Sequence, residues 1–245
     1  MTKKSLPQVE VTLEKIVGGG QALGTLDDGR KVFIWGGLPD ETVIAQLTKK
    51  KSNYAEGYVV EVLKPSPDRI APKDADSYLS TSPWQIMSLD TENRYKAALI
   101  EEAFELHDIV LPNPIEVYSD GVEYGYRNKV EFSFWYEAET DSLSLAFFRR
   151  GSHGKLAVNG TSLASDAINH RAQDILNVLN NLHIDGRTLK TLLIRSDSKG
   201  NVAWQLYVKD EAFDTATFMA EFSDDERGEV IYSNPQSPAS VITKR

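Results

Sequence analysis

The chain has 245 residues, of which 41% are hydrophobic and 26% are charged, a composition typical of a globular protein that can bury a core. It contains no cysteine, which excludes disulfides, thiolate-bound metals, cysteine-held iron–sulfur clusters and a cysteine nucleophile among these residues. No apolar run reaches the roughly 18 residues needed to span a membrane, and no signal peptide is recognisable, so we expect a cytoplasmic protein without a membrane partner.

Charge is unevenly distributed along the chain. The net charge of -9 argues against a general nucleic-acid binder. However, residues 1–73 carry 11 basic and nine acidic side chains, whereas the remaining residues carry 16 basic and 27 acidic ones. The asymmetry either marks a segment with its own binding partner or reflects ordinary solvated surfaces that differ in charge.

The first predicted elements surround a glycine-rich stretch, KIVGGGQALGTLDDGRKVFIW, which runs from Lys15 to Trp35. A dinucleotide-binding loop needs G-x-G-x-x-G followed by a helix whose free N–H groups face the pyrophosphate. Gly18 and Gly20 supply the first two glycines, but the third position falls on Leu23. A tight Asp-Gly turn and a β-rich run then follow in place of a helix. We therefore reject a nucleotide-cofactor loop at this position.

Alternating apolar residues instead predict a series of short strands. They cover Val9–Val17, Lys31–Trp35, Thr42–Thr48 and a further run that ends at Pro65. Four or five short strands with glycine-rich corners are typical of a small closed β-barrel of the oligonucleotide-binding (OB) kind. We expect the corner glycines to let strands bend and backbones approach one another closely.

A run of three lysines, Lys49, Lys50 and Lys51, falls on the predicted loop between two barrel strands, and Tyr54 follows it. Adjacent cations beside an aromatic ring suit a phosphate backbone and a stacked base. The alternative is a solvated surface loop without a ligand. Both interpretations remain open at this point.

The second part of the chain mixes helices and strands. Apolar residues recur at three- and four-residue steps in a predicted helix Asp90–Leu106, and strands with a turn follow over Tyr124–Gly160. A second amphipathic helix is predicted over Ser165–Leu182, and a hairpin over Leu189–Asp210. This order predicts an α+β domain, with an antiparallel sheet and helices on one face, over residues 73–245, after a barrel domain over residues 1–72.

Several sequence motifs resemble those of known protein families. GGGQALG, DDGRKVFIWGGLPDETV and the ordered pair LPDE and PSPDRIAP are similar to a TRAM domain, an RNA-binding barrel. YGYRNKVEFSFWY, AFFRRGSHGKLAVNG and YSNPQSPASVITKR resemble the central region of bacterial RNA uracil-5-methyltransferases, which make 5-methyluridine in transfer or 23S ribosomal RNA. The resemblance implies RNA as the partner, no DNA specificity, and S-adenosylmethionine as the cofactor of the complete enzyme.

The same resemblance implies where the chemistry lies. In the family, the cofactor loop and the catalytic cysteine belong to a C-terminal methyltransferase domain, whose motifs are not found in these 245 residues. We therefore expect no catalytic residue in this chain and no methylation by the chain alone. Some relatives carry a cysteine-held iron–sulfur cluster where this sequence has Ser80, Thr81 and Ser82, so we expect neither that cluster nor another metal.

The candidate RNA-binding residues come from both domains: Lys49, Lys50, Lys51, Tyr54, Arg127, Lys129, Arg149, Arg150 and Lys155. For Arg127, Lys129, Arg149 and Arg150, the alternative is a set of partly exposed cations that pair with nearby carboxylates.

Three functions remain possible. The first is the RNA-recognition portion of a uracil methyltransferase. The second is a stand-alone RNA-binding adaptor without enzymatic activity, and the third is a scaffold that avoids nucleic acid. In the first case we expect helix Asp90–Leu106 to pack on the methyltransferase domain, and without that domain to lie in a dimer or crystal contact.

Overall fold

The computed structural model describes residues 6–151, 154–233 and 239–244. These residues form two compact units. The first consists of residues 6–121 with Arg150 and Gly151, and the second consists of the remaining described residues. We predicted a division after residue 72, but the first unit continues for about 50 residues beyond that point. The motif YSNPQSPASVITKR falls partly outside the described residues, at positions 234–238 and 245.

The first unit contains a closed five-stranded barrel, as predicted. Its strands lie in the order β1–β2–β3–β5–β4, and all neighbours are antiparallel except the parallel pair β3 and β5. Their bounds are β1 Gln8–Val17, β2 Gln21–Thr25, β3 Lys31–Trp35, β4 Thr42–Lys50 and β5 Tyr54–Lys64. Strand β3 reads KVFIW with its second and fourth residues fully buried, so the alternation in the sequence follows the barrel wall.

Glycines inside the strands, rather than the predicted corner glycines, allow two close backbone approaches in this barrel. A Cβ added to Gly24 would lie 2.8 Å from the Thr12 carbonyl oxygen. At Gly57 it would lie 2.5 Å from the Gln46 carbonyl oxygen. Because both neighbours are backbone atoms of adjacent strands, a larger side chain would force the strands apart.

The segment after the barrel explains why the first unit is longer than expected. It forms helix α1, Tyr78–Thr81, and helix α2, Leu89–Glu105. Ile86 and Met87 are buried in the barrel core, and Tyr95 and Leu99 of α2 pack against it. Burial of these apolar side chains joins the segment to the barrel. The predicted helix is therefore confirmed, whereas its packing against a further domain stays a prediction.

The second unit is a seven-stranded sheet with both of its helices in one hydrophobic core, as the α+β prediction required. Its elements are β6 Lys129–Glu137, β7 Ser142–Phe148, β8 Lys155–Val158, α3 Asp166–Asn181, β9 Leu189–Ser196, β10 Val202–Val208, α4 Thr215–Ala220, β11 Gly228–Tyr232 and β12 Ser240–Lys244. The strand order is β12–β11–β10–β9–β6–β7–β8. The sheet is antiparallel except between β10 and β11, where helix α4 makes the crossover that a parallel pair requires.

The core of the second unit lies between one sheet face and the helices. Phe132, Ile194 and Trp204 on the sheet are at most 1% exposed and share this core with Ile175 of α3 and Phe218 of α4. The opposite face of the central strands carries mostly polar and charged residues at the alternate positions, with Leu193 of β9 and Ala203 of β10 among the exceptions. Within the described part of the chain, no helix combines the length and apolar character that a membrane crossing needs.

Candidate functional site

The lysine run forms a short basic hairpin, which we define as residues 49–54. Lys49 and Lys50 are the last two residues of β4, so the basic run begins on the strand rather than on the loop. The Lys51 amide donates to the Tyr54 carbonyl oxygen at 2.8 Å and closes the turn. Arg30, which lies outside the hairpin, also stabilises the turn, because its Nη1 donates a hydrogen bond to the Lys51 carbonyl oxygen at 3.1 Å. These bonds hold three cations within one turn of backbone.

The three lysines differ in their partners. Lys49 Nζ lies 2.7 Å from Glu56 Oε1 and 5.0 Å from the Tyr54 ring centroid. The hydrogen bond to Glu56, followed by the interaction with Tyr54, raises the pKa of Lys49, so its ammonium stays charged well into the alkaline range. Lys50 and Lys51 are exposed, and no carboxylate among the described residues forms an ion pair with either of them. Both lysines are available to an anionic ligand, and the charge of Lys50 also acts on the Asp28 carboxylate and helps to lower its pKa.

The ordered pair LPDE and PSPDRIAP has a structural role. The Glu41 carboxylate is fully buried and accepts hydrogen bonds from the Leu38 amide at 2.9 Å and the Ser66 amide at 3.1 Å. It also accepts from the Arg69 guanidinium, whose Nη2 lies 2.7 Å from Glu41 Oε2 and 2.8 Å from the Gly36 carbonyl oxygen. The motif therefore ties the β3–β4 turn to the chain after β5.

In the second unit, the predicted Lys129 lies opposite a cation that the sequence analysis missed. Lys129 of β6 and Arg195 of β9 are directly paired in the antiparallel register, and both side chains are exposed. Like charges in this position repel each other, and an anion between them would relieve the repulsion. Arg195 occupies an outward position of its strand, but only the β6–β9 register shows that it faces Lys129.

The predicted Arg127 lies just before β6 and is half-buried. Its backbone amide donates to the Leu163 carbonyl oxygen at 2.8 Å, and its carbonyl oxygen accepts from the Ser165 amide at 3.2 Å. These bonds hold the chain at the start of the sheet near the N-terminus of α3. Arg127 and Lys129 are thus brought to the same end of the sheet, two residues apart.

The remaining predicted cations differ in their exposure and in the hydrogen bonds that they make within the protein. Arg149 is exposed, and its Nε donates to the Lys155 carbonyl oxygen at 3.3 Å. Arg150 is half-buried: its Nε donates to the Leu79 carbonyl oxygen at 2.6 Å, and its guanidinium lies 4.2 Å from the Trp35 ring centroid. Burial lowers the pKa of Arg150, although the guanidinium remains a cation at neutral pH.

Lys155 is also partly enclosed. Its Nζ donates to the Phe134 carbonyl oxygen at 2.9 Å and lies 5.3 Å from the Phe148 ring centroid. Burial, followed by the nearby positive charge of Lys209, lowers the pKa of Lys155. A ligand that uses Lys155 or Arg150 must therefore compete with backbone acceptors, whereas Arg149 is already at the surface.

The glycine-rich turn does not fit a cofactor cradle. Strand β2 begins directly after Gly20, so no helix N-terminus is presented to a pyrophosphate. A Cβ added to Gly20 would lie 2.6 Å from Trp84 Nε1, which shows that a side chain already fills the space beside the turn. Across the described residues, no group of three or more histidine, aspartate or glutamate side chains is arranged to hold a metal ion.

The barrel corresponds to a known domain family. The TRAM domain family model matches residues 8–60, which include β1 to β4 and most of β5. The barrel and its match therefore define a TRAM-domain protein.

Curated relatives extend the similarity into the second unit. The 23S rRNA (uracil(1939)-C(5))-methyltransferase RlmD of Vibrio cholerae O395 is 29% identical over 193 residues, 77% of this chain and 42% of the relative. That of Shewanella baltica OS223 is 26% identical over 171 residues, 69% of this chain and 38% of the relative. An uncharacterized RNA methyltransferase of Thermotoga maritima is 30% identical over 126 residues, 51% of this chain and 28% of the relative.

A solved structure shares the fold. The Pyrococcus abyssi tRNA (uracil-54, C5)-methyltransferase, solved in complex with S-adenosyl-L-homocysteine, matches with a TM-score of 0.64. The match covers 95% of this chain and 54% of that chain at 12% identity, and at this identity the likeness concerns the fold alone.

Together with the TRAM domain, these relatives show that the chain is similar to RNA (uracil-C5) methyltransferases over most of its own length. It spans about two fifths of the length of the first curated relatives.

Proposed function

We propose that this chain is the RNA-recognition portion of an RNA uracil-C5 methyltransferase that acts on transfer RNA or 23S ribosomal RNA. The basic hairpin carries this proposal. It presents Lys50 and Lys51 to solvent, with no ion-pair partner among the residues that the structure describes, beside the half-exposed ring of Tyr54 on a barrel that matches the TRAM family. Barrels of this kind bind single-stranded RNA through cations that lie beside an aromatic surface.

The second unit adds a further set of cations to the proposal. Lys129 and Arg195 face each other on neighbouring strands, and their mutual repulsion is relieved when a phosphate lies between them. Arg149 is exposed as well. We propose that Lys129, Arg149, Arg195 and Arg127 contact the RNA backbone. Lys49, Arg150 and Lys155 donate side-chain hydrogen bonds within the protein and contribute mainly through their positive field.

Catalysis in this proposal lies outside the 245 residues. Addition of a thiolate to the uracil ring requires a cysteine, and this chain has none. S-Adenosylmethionine is the methyl donor of the complete enzyme, and the glycine-rich turn of this chain does not accommodate it, so no catalytic step is assigned to these residues.

The alternative is a stand-alone RNA-binding adaptor without enzymatic activity. The distinguishing experiment adds a separately produced methyltransferase domain of an RlmD-type relative, with S-adenosyl-L-[methyl-³H]methionine and 23S rRNA or tRNA transcripts. The recognition portion is expected to increase transfer of tritium to one transcript class when it is added in trans. An adaptor would bind the RNA and leave methyl transfer unchanged.

RNA binding itself is tested with the chain alone. Fluorescence anisotropy of a labelled single-stranded RNA should report binding at low salt, and substitution of both Lys50 and Lys51 by glutamine should weaken it. The matched control replaces both Lys15 and Lys96 by glutamine; these lysines belong to the same unit, form ion pairs with Glu102 and Glu92, and do not line the barrel surface beside the hairpin. Equal losses in the two variants would mean that net charge, and not the basic hairpin, governs binding.

A further inference from the structure

A shallow hollow lies on the outer surface of the barrel, next to the basic hairpin. It is lined by side chains from adjacent strands and the hairpin turn: Gln21, Lys31, Phe33, Asn53, Tyr54 and Glu56. The parallel register pairs Lys31 with Tyr54 and Phe33 with Glu56, whereas the alternate residues of both strands are buried inside the barrel. The lining side chains on β3 and β5 therefore point away from the core.

Two aromatic rings form a corner of this hollow. The Phe33 and Tyr54 ring centroids are 6.0 Å apart, and their planes meet at 80°. Both side chains are half-buried, so each ring is fixed by its neighbours and still presents surface to solvent. A flat heteroaromatic ring placed in the corner would stack on one of these rings and meet the edge of the other, which is the geometry that aromatic groups prefer.

The polar groups around the corner suit a base better than a phosphate. The two cations beside the hollow are ion-paired, Lys49 with Glu56 at 2.7 Å and Lys31 with Glu14 at 3.2 Å, so among the described lining residues there is no unpaired cation to attract a phosphate. The amides of Gln21 and Asn53 can both donate to and accept from the edge of a base. Lys50 and Lys51, which form no ion pair within the described part of the chain, belong to the same hairpin. The two aromatic rings of the corner are thus only a few residues from Lys50 and Lys51, the lysines that can bind an anion.

We propose that the hollow between Phe33 and Tyr54 holds one unpaired RNA base while Lys50 and Lys51 contact the adjacent phosphates. This inference rests on the proposed function, because it names single-stranded RNA as the class of ligand that the barrel binds. A base within a duplex is stacked on both faces and paired along its edge, so it cannot enter the corner.

The test compares three fluorescein-labelled ligands by anisotropy: octauridylate, the same-length oligomer with abasic ribose at every position, and a blunt RNA duplex. The intact chain should bind octauridylate about tenfold more tightly than the abasic oligomer, which is within the range of stacking one base. Phe33→Leu and Tyr54→Leu keep apolar packing but remove the ring, and each should weaken octauridylate binding about tenfold. Neither substitution should change the affinity for the abasic oligomer.

Tyr118→Leu is the matched control, because Tyr118 belongs to the same unit, is 94% exposed and does not line the hollow. It should leave all three affinities unchanged. The comparison of octauridylate with the abasic oligomer uses the unaltered chain, so it shows whether a base contributes to binding even if a variant fails to fold. Equal affinity for these two ligands, with binding that still weakens in salt, would overturn the base site and leave the proposed function intact. Failure to bind any of the three ligands at low salt would overturn both.

Discussion

Loss of the Glu41 carboxylate should destabilise the first unit more than loss of any surface charge. Glu41 is fully buried and accepts four hydrogen bonds, two from backbone amides and two from Arg69, whose side chain is 17% exposed. In Glu41→Ala the Leu38 and Ser66 amides lose their acceptor, and the Arg69 guanidinium keeps the Gly36 carbonyl oxygen and its interaction with Tyr78 but has no anionic partner in this motif.

The magnitude follows from what remains buried and unpaired. Removal of one partner of a buried ion pair costs about 3–5 kcal/mol, and we expect about 4 kcal/mol for Glu41→Ala. Glu41→Gln retains one acceptor oxygen and should lose about 2 kcal/mol, because hydrogen bonds to a neutral group are roughly half as strong. The double variant Glu41→Leu/Arg69→Met removes both charges and should recover most of the loss of the single variant.

Urea unfolding followed by tryptophan fluorescence measures these differences as changes in midpoint. Glu14→Ala is the control, because Glu14 is exposed and its ion pair with Lys31 should contribute less than about 1 kcal/mol. If Glu41→Ala is no more destabilising than Glu14→Ala, or if the double variant is less stable than Glu41→Ala, the assignment of this motif as a structural tie is wrong.

Three further outcomes are expected. Gly20→Ala should lower the free energy of unfolding in urea by about 1–3 kcal/mol, because Gly20 has a φ of 89° and lies against Trp84. An added Cβ at Gly18 meets nothing within 4 Å, so Gly18→Ala should stay within about 0.5 kcal/mol of the unaltered chain. Arg195→Gln should gain about 0.2–1 kcal/mol by relieving repulsion and yet weaken RNA binding in anisotropy; a loss of stability would contradict the like-charge pair. Hydrogen bonds from Thr217 lower the pKa of Asp214, so its contribution is present above the unfolded-state pKa of about 3.9 and is lost as pH falls through the lower folded-state pKa. Asp214→Asn should flatten this acid loss in a pH series of thermal melts, and an unchanged slope would refute the assignment.

The sequence predicts those parts of the fold that depend on local pattern. Alternation along Lys31–Trp35 and the three- and four-residue spacing of α2 follow directly from burial on one side of a strand or helix, and both elements lie within one residue of their predicted bounds. The glycine-rich stretch could be assigned to strands because a turn and a β-rich run follow it.

Contacts between distant residues could not be predicted in this way. Glu41 and Arg69 are 28 positions apart, and their pairing depends on closure of the barrel. Arg149 and Arg150 are adjacent and chemically identical, yet one is exposed and the other is half-buried against Trp35. The extent of the first unit depends on burial of Ile86 and Met87, which their sequence context does not distinguish from ordinary helix flanks.

The same limit applies to the candidate site. The lysine run is visible in the sequence because its cations are consecutive, but the pairing of Lys49 with Glu56 and the freedom of Lys50 and Lys51 depend on the β4–β5 register. Phe33 reads as an ordinary strand residue, and only the barrel shows that its ring forms a corner with Tyr54. Arg195 likewise becomes a candidate only because the β6–β9 register places it opposite Lys129.

The central claim is that these barrel lysines bind RNA phosphates, and the salt dependence of RNA affinity measures this directly. Anisotropy titrations of octauridylate at several salt concentrations give the slope of log affinity against log salt. Each phosphate contact to a single strand contributes about -0.7 to that slope, so Lys50→Gln/Lys51→Gln should make it less negative by about 1.4. An unchanged slope in this double variant, or an affinity that does not fall with salt in the unaltered chain, would contradict the account.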